Sequence, residues 1–279
     1  MRIAILYNND IYSNEALNHL LPSLVDHDVG LFFSQRVGPG QDRDHRLLRL
    51  GFMEQTLFTD VLFPLVEQHG LVGDRFTFGQ LADRFSEVIR PLKKVNSPEE
   101  CALLAAFAPD LMVSIRFGQI LQRCVLAVPT FGTLNLHSGL LPAYRGVMAS
   151  FWSLLNHADH LGMTLHWIDS ENIDDGPIIA TTRQPVSGAH SYFRQTLSLY
   201  PEGAAILIAA INEIAGGSMP ESQPNTGQGA YFSFPDSVAL DRFESAAGSL
   251  VAESDVRALI EGLLIKKWPN NSANLYPQI

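Results

Sequence analysis

The chain alternates between short apolar runs and longer amphipathic stretches. Ile3 to Tyr7, Val29 to Phe33 and Leu111 to Ile115 are apolar and bounded by polar or turn residues. Runs of this kind mark strands buried on both faces of a parallel sheet. From Asp44 to Gln68, apolar positions at Leu47, Leu50, Met53, Leu57, Val61 and Leu65 recur every three or four residues and predict a helix, with Pro64 expected to kink it near its end. Ser97-Pro98-Glu99-Glu100 reads as another helix start, with Ser as N-cap, Pro in the first position and Glu100 completing a capping box. Strand, helix and strand in succession imply right-handed crossovers. The expected class is therefore α/β, a doubly wound, Rossmann-like, mostly parallel sheet with helices on both faces. In such sheets ligands bind beyond the carboxyl ends of the strands.

Further along, Thr133 to His137, Met163 to Asp169 and Ile178 to Arg183 read as strands, with a helical stretch from Val147 to Asn156 between the first two. Tyr200 to Ala215 is a strongly apolar helix. Residues 1–215 form the expected main domain, and the Gly, Ser, Pro, Asn and Gln of 216–229 read as a linker or loop. Residues 230–279 are a short C-terminal extension, with a helix pair over Asp236 to Leu264 and an irregular tail from Trp268 to Ile279. A short amphipathic pair has little core of its own, so a homodimer through this extension is expected.

One strand breaks the apolar pattern. Asn135 and His137 lie two apart in Asn135-Leu136-His137-Ser138, so they share a face while Leu134 and Leu136 take the other. They sit at the strand's carboxyl end, before a loop bounded by Pro142 and Gly146. Alone, such a pair is more often two satisfied hydrogen-bonding groups than a site. Ile173-Asp174-Asp175-Gly176-Pro177 adds a turn carrying two carboxylates. An amide donor, an imidazole and a carboxylate suit acyl transfer without a covalent enzyme intermediate, and no GxSxG elbow offers a protein nucleophile.

Bulk composition narrows the partners. The 279 residues carry 19 Lys and Arg against 29 Asp and Glu, a net charge of -10, which disfavours nucleic acid and anionic membranes. Cys101 and Cys124 have no metal spacing and read as two buried, reduced thiols. The first residues enter a strand directly and resemble no secretory signal, so a cytoplasmic, soluble protein is expected. His157 and His160 have H-x-x-H spacing without a third ligand, and no metal site is expected. Phe151 and Trp152 read as core, and His166 as a strand-face residue that borders the pocket at most.

The segments from Asn135 to Gly146 and from Ile173 to Ile179, in this order and separation, resemble the signature of the 10-formyltetrahydrofolate-dependent formyltransferases. Ala108 to Leu121 is similar to that superfamily's strand and folate loop, and the resemblance runs from about residue 95 to 185. It implies an N-formyltransferase with 10-formyltetrahydrofolate as cosubstrate and Asn135, His137 and Asp174 as catalytic residues, Asp174 because it stands two residues before Gly176; Asn135 and a protonated His137 are expected to stabilise the oxyanion and Asp174 to assist a proton relay. It places folate against Arg116, Phe117, Gly118, Gln119, Ile120, Leu121, Ser170 and Ile173. Asn9, Asp10, Tyr12, Ser138 and Arg145 are the expected acceptor contacts, although Arg145 serves equally well to fix its own loop.

The loop Tyr7 to Asn14 lacks the glycines that cradle phosphate in the family's glycinamide ribonucleotide enzymes. The tail lacks the basic additional domain of its tRNA enzymes. A small-molecule amine is therefore the expected acceptor: an amino sugar nucleotide, an amino acid of the hydroxylamine type, or a specialised metabolite. A formyltetrahydrofolate hydrolase and a non-catalytic folate-binding protein are the alternatives.

Overall fold

The computed structural model describes residues 1–34, 44–86, 88–246, 248–264 and 266–267. The expected tail from Trp268 to Ile279 lies outside the described residues. Seven strands form the main sheet: β1 (Arg2–Asn8), β2 (Asp28–Ser34), β3 (Val88–Leu92), β4 (Leu111–Ile115), β5 (Thr133–His137), β6 (Thr164–Ile168) and β7 (Ile178–Thr181). Their order is β7-β6-β5-β4-β1-β2-β3. β5, β4, β1, β2 and β3 run parallel, while β6 pairs antiparallel with β5 and β7 antiparallel with β6. The order reverses between β1 and β4, where the chain passes to β2 on one side and to β5 on the other. That is the crevice where ligands bind in such sheets.

Helix starts follow local chemistry. Asp10 caps Ile11–Leu20 by accepting the Ser13 N–H, and Ser97 caps Pro98–Phe107 by accepting the Glu100 N–H. The expected capping box is only half formed there, because the Glu100 carboxylate instead takes the N–H groups of Lys93 and Lys94 at 2.7 and 2.8 Å. The helical path from His45 to Gln68 is α-helical at its ends and π-wound over Phe52–Leu62. Pro64 falls in the first turn of Phe63–Gln68, where its missing N–H is tolerated. The departure from α geometry thus lies upstream of the proline. Wider winding also moves the apolar stripe off its period, leaving Val61 and Leu65 42% and 45% exposed.

The C-terminal elements belong to the main core. Ser237–Ala246 sets Phe243 on Phe151, with ring centres 4.6 Å apart, and Glu253–Leu264 buries Val256, Leu259 and Leu263 in the same cluster. The apolar face expected to drive dimerisation is therefore covered by the chain itself. Nor do residues 216–229 hang as a linker: Ile178 and Gln223 exchange backbone hydrogen bonds at 2.8 Å, and Ala230–Phe232 pairs in parallel with Tyr144–Gly146. Phe243→Ala is expected to destabilise the whole fold by about 3–5 kcal/mol, the usual cost of emptying a buried phenylalanine site. Chemical denaturation checks this, and an unshifted midpoint would show the extension to be dispensable.

The stretch Tyr192–Ala215 is apolar enough by length and composition to cross a membrane. Here it is two helices, Tyr192–Leu197 and Tyr200–Ala215, and Tyr200, Ala204, Leu207 and Ile211 lie in the core. The thiols differ from expectation: Cys124 is exposed and Cys101 half-buried, because both sit on short surface helices.

Candidate functional site

Asn135 and His137 end β5 and meet β6 across the antiparallel ladder, where Asn135 lies opposite His166 and His137 opposite Thr164. His166 Nδ1 is 2.8 Å from the Trp167 carbonyl, which can only accept, so that nitrogen carries the proton and Nε2 is left as an acceptor. Asn135 Nδ2 donates to that Nε2 at 3.0 Å and, more weakly, to Asp174 Oδ1 at 3.4 Å. His137 Nε2 likewise faces a carbonyl, that of Tyr144 at 2.8 Å, while its Nδ1 lies 3.5 Å from Asp174 Oδ2. A doubly protonated ring gives each nitrogen of His137 an acceptor.

Asp174 is the hub. Its backbone is left-handed, with φ 50°, which lifts the carboxylate over the sheet edge. Besides the two histidines and Asn135, Oδ2 accepts the Gly146 N–H at 2.8 Å. Burial alone would raise its pKa, but the charge of His137 and the Gly146 N–H outweigh it and hold the carboxyl down at about 2. Asp174 is thus ionised throughout the neutral range. Gly146 supplies its donor because it has φ 95° and because a Cβ there would meet the Phe232 carbonyl at 2.2 Å. The loop is pinned by Ala230–Phe232, by Tyr144 stacked on Phe232, and by Asn225 Nδ2 donating to the Asp174 carbonyl at 2.9 Å.

These side chains line a cavity of about 540 Å³. Arg116 to Leu121, Ser170, Ile173 and Ser138, expected from sequence to contact folate or acceptor, line the same cavity. That volume lies in the range of small-molecule and cofactor pockets. Other expected acceptor contacts are elsewhere. Asp10 and Tyr12 are completely buried and outside the lining, since Asp10 is committed to capping its helix and to Arg116. Asn9 is half-buried and also outside the lining. Arg145 donates to Asp175 Oδ1 at 2.7 Å, tying two loops together.

Sequence reasoning missed two contributors, His166 as a partner of Asn135 and Asp174, and the wall from Leu47 to Thr56 that includes Glu54. Only the strand register could have revealed the first. Among the described residues, no group of three His, Cys, Asp or Glu side chains is arranged to hold a metal ion.

Residues 82–210 match the model of the formyl transferase family. This segment is a formyl transferase domain. Over 130 residues the chain is 41% identical to methionyl-tRNA formyltransferase of Halorhodospira halophila, a match covering 46% of this chain and 42% of that protein. The chain thus spans about half the length of the curated relatives it matches. The fold is shared with glycinamide ribonucleotide transformylase 1 of Symbiobacterium toebii, at TM-score 0.55 and 18% identity over 81% of this chain and 94% of that one. An N-formyltransferase of Helicobacter canadensis, solved in complex with folinic acid and dTDP-3-aminofucose, has TM-score 0.52 and 18% identity over 84% of this chain and 71% of that one. Asn135, His137 and Asp174 lie within the matched residues, whereas the cavity wall from Leu47 to Thr56 and the strand that pins the loop, Ala230–Phe232, lie outside them.

Proposed function

We propose that this chain transfers the formyl group of 10-formyltetrahydrofolate to the amine of a small molecule. The convergence of Asn135, His137, His166 and Asp174 in one cavity with the 116–121 and 170–173 segments carries this reading. A neutral amine attacks the formyl carbon, and negative charge grows on the formyl oxygen. Asn135 Nδ2 is placed to donate to it, because its 3.4 Å bond to Asp174 is the weaker of its two and the easier to exchange. His137 stabilises the same charge as an imidazolium, which Asp174 pairs and orients. With a pKa near 2, Asp174 is too weak a base to hold a proton at neutral pH, so its part is electrostatic rather than that of a relay.

The net charge of -10 favours a small acceptor over a polyanion. The 41% identity to a methionyl-tRNA formyltransferase supports a second reading, in which the acceptor is the amino group of an aminoacyl-tRNA. The test is incubation with 10-formyltetrahydrofolate and a panel of amines: nucleotide-linked amino sugars, glycinamide ribonucleotide, hydroxyornithine and methionyl-tRNA. Tetrahydrofolate release and product mass are followed together. Release that requires one small amine is the expected result. Release only with methionyl-tRNA selects the second reading, and formate release without any amine identifies a hydrolase.

A further inference from the structure

The cavity holds a second set of charged groups that the oxyanion geometry leaves unused. Arg116 leaves β4 with a left-handed backbone, φ 57°, and donates through Nε to Asp10 Oδ2 at 2.8 Å. Its Nη2 lies 3.8 Å from Glu54 Oε2, and its guanidinium carbon stands 4.5 Å from the centre of the Tyr12 ring. Asp10 also accepts from Asn8 Nδ2 and the Ser13 N–H, so it stays in place and cancels the charge of Arg116. Glu54 is left over. It comes from the π-wound segment, is 9% exposed and lines the cavity with Arg116, Asn8 and Tyr192. Insertions of π geometry recur at functional positions.

Arg116, Asp10, Tyr12 and Tyr192 are the charged and titratable groups around Glu54. Burial outweighs the pull of Arg116 and, helped by the charge of Asp10, pushes the Glu54 carboxyl up to about 7. An aliphatic amine reaches the protein as an ammonium ion and must lose a proton before it can attack. Asp174 is too acidic to take it, and both nitrogens of His137 face acceptors. A base is most useful when its pKa lies near the working pH.

We propose that Glu54 is the acceptor-ammonium subsite, binding the protonated amine beside Arg116 and taking one of its protons. This deepens the formyl-transfer reading and rests on it. An N–H bond of the ammonium breaks and an O–H bond forms on Glu54, freeing the nitrogen's electron pair. That pair forms the bond to the formyl carbon, and the bond from this carbon to the folate nitrogen breaks. The folate nitrogen takes the second proton of the attacking amine, and the proton on Glu54 passes to water as product leaves. One proton is released per turnover. The preferred substrates are aliphatic primary amines; weakly basic nitrogens of the hydroxylamine type are already neutral and gain nothing from Glu54.

The test compares wild type with E54Q. At saturating 10-formyltetrahydrofolate, kcat/KM for an aliphatic amine should fall about 100-fold or more near neutrality, and should go on rising with pH as free amine accumulates where wild type levels off above the Glu54 titration. A hydroxylamine-type acceptor should change only a few-fold, and folate affinity should not change. In parallel, carbon-13 NMR of side-chain-labelled glutamates identifies Glu54 by its absence in E54Q. Adding the aliphatic ammonium to tetrahydrofolate-bound protein should shift its titration to lower pH. Unchanged E54Q kinetics with the aliphatic amine, or a Glu54 signal that ignores the ammonium, would overturn the proposal. If wild type formylates no amine, the formyl-transfer reading fails, while an ammonium-shifted Glu54 signal still supports the binding subsite.

Discussion

Replacing His137 or Asp174 by alanine is expected to lower formyl transfer by about 100- to 1000-fold each, with tetrahydrofolate still bound. Loss of the Asp174 carboxylate deprives His137 Nδ1 of its counter-charge and leaves the Gly146 N–H without its acceptor. His137→Ala removes the imidazolium and leaves Asp174 with only His166, Asn135 and Gly146 around it. The two residues act as one unit, so the double variant should lose little more than either single one. Asp175→Ala is the control. That carboxylate is exposed and pairs with Arg145, and its loss should cost turnover only slightly. Steady-state kinetics with parallel folate-binding measurements decide the matter. Turnover unchanged in either triad variant would remove that residue from the chemistry.

Gly176→Ala should be the most damaging single methyl in the chain's catalytic region. A Cβ at this position would sit 1.9 Å from the Trp167 carbonyl oxygen, a backbone atom of β6 that cannot swing aside. The same turn returns a hydrogen bond, with the Trp167 N–H donating to the Pro177 carbonyl at 3.0 Å. Strand and turn must therefore separate, and Asp174, two residues earlier, moves with the turn. Destabilisation by about 1–3 kcal/mol or more is expected, with turnover falling as far as in Asp174→Ala. Thermal unfolding separates the two cases, because Asp174→Ala should bind folate normally whereas Gly176→Ala should lose stability and activity together. Native stability and turnover in Gly176→Ala would mean that β6 and its turn are not packed as closely as described.

Legibility followed burial. β1, β2 and β4 announce themselves as apolar runs because they are covered on both faces, and Pro98–Phe107 is marked by its own cap. β3 went unread because Val88-Ile89-Arg90-Pro91-Leu92 is an edge strand, exposed along its middle and carrying a proline. The side chains proposed for the chemistry were legible as types and spacings. Their contacts were not, because Asn135 meets His166 only through an antiparallel register, and Asp174 reaches them only by taking a left-handed conformation. Asp10 and Tyr12 were misplaced for a related reason. Their position after β1 is open to a ligand in principle, but the side chains turn inward to serve Arg116.

The pairing of Tyr144–Gly146 with Ala230–Phe232 also bears on the order in which the molecule becomes competent. A chain is synthesised from its N-terminus, and the proposed catalytic residues Asn135, His137 and Asp174 leave the ribosome well before Ala230 does. Until that late strand arrives, the loop that presents the Gly146 N–H to Asp174 lacks its β-pairing. Contacts between segments so far apart also form slowly, because the intervening chain must first be closed into a loop. The proposed active centre is consequently among the last parts of the nascent protein to mature, and a polypeptide released early would carry Asn135, His137 and Asp174 without the geometry that brings them together.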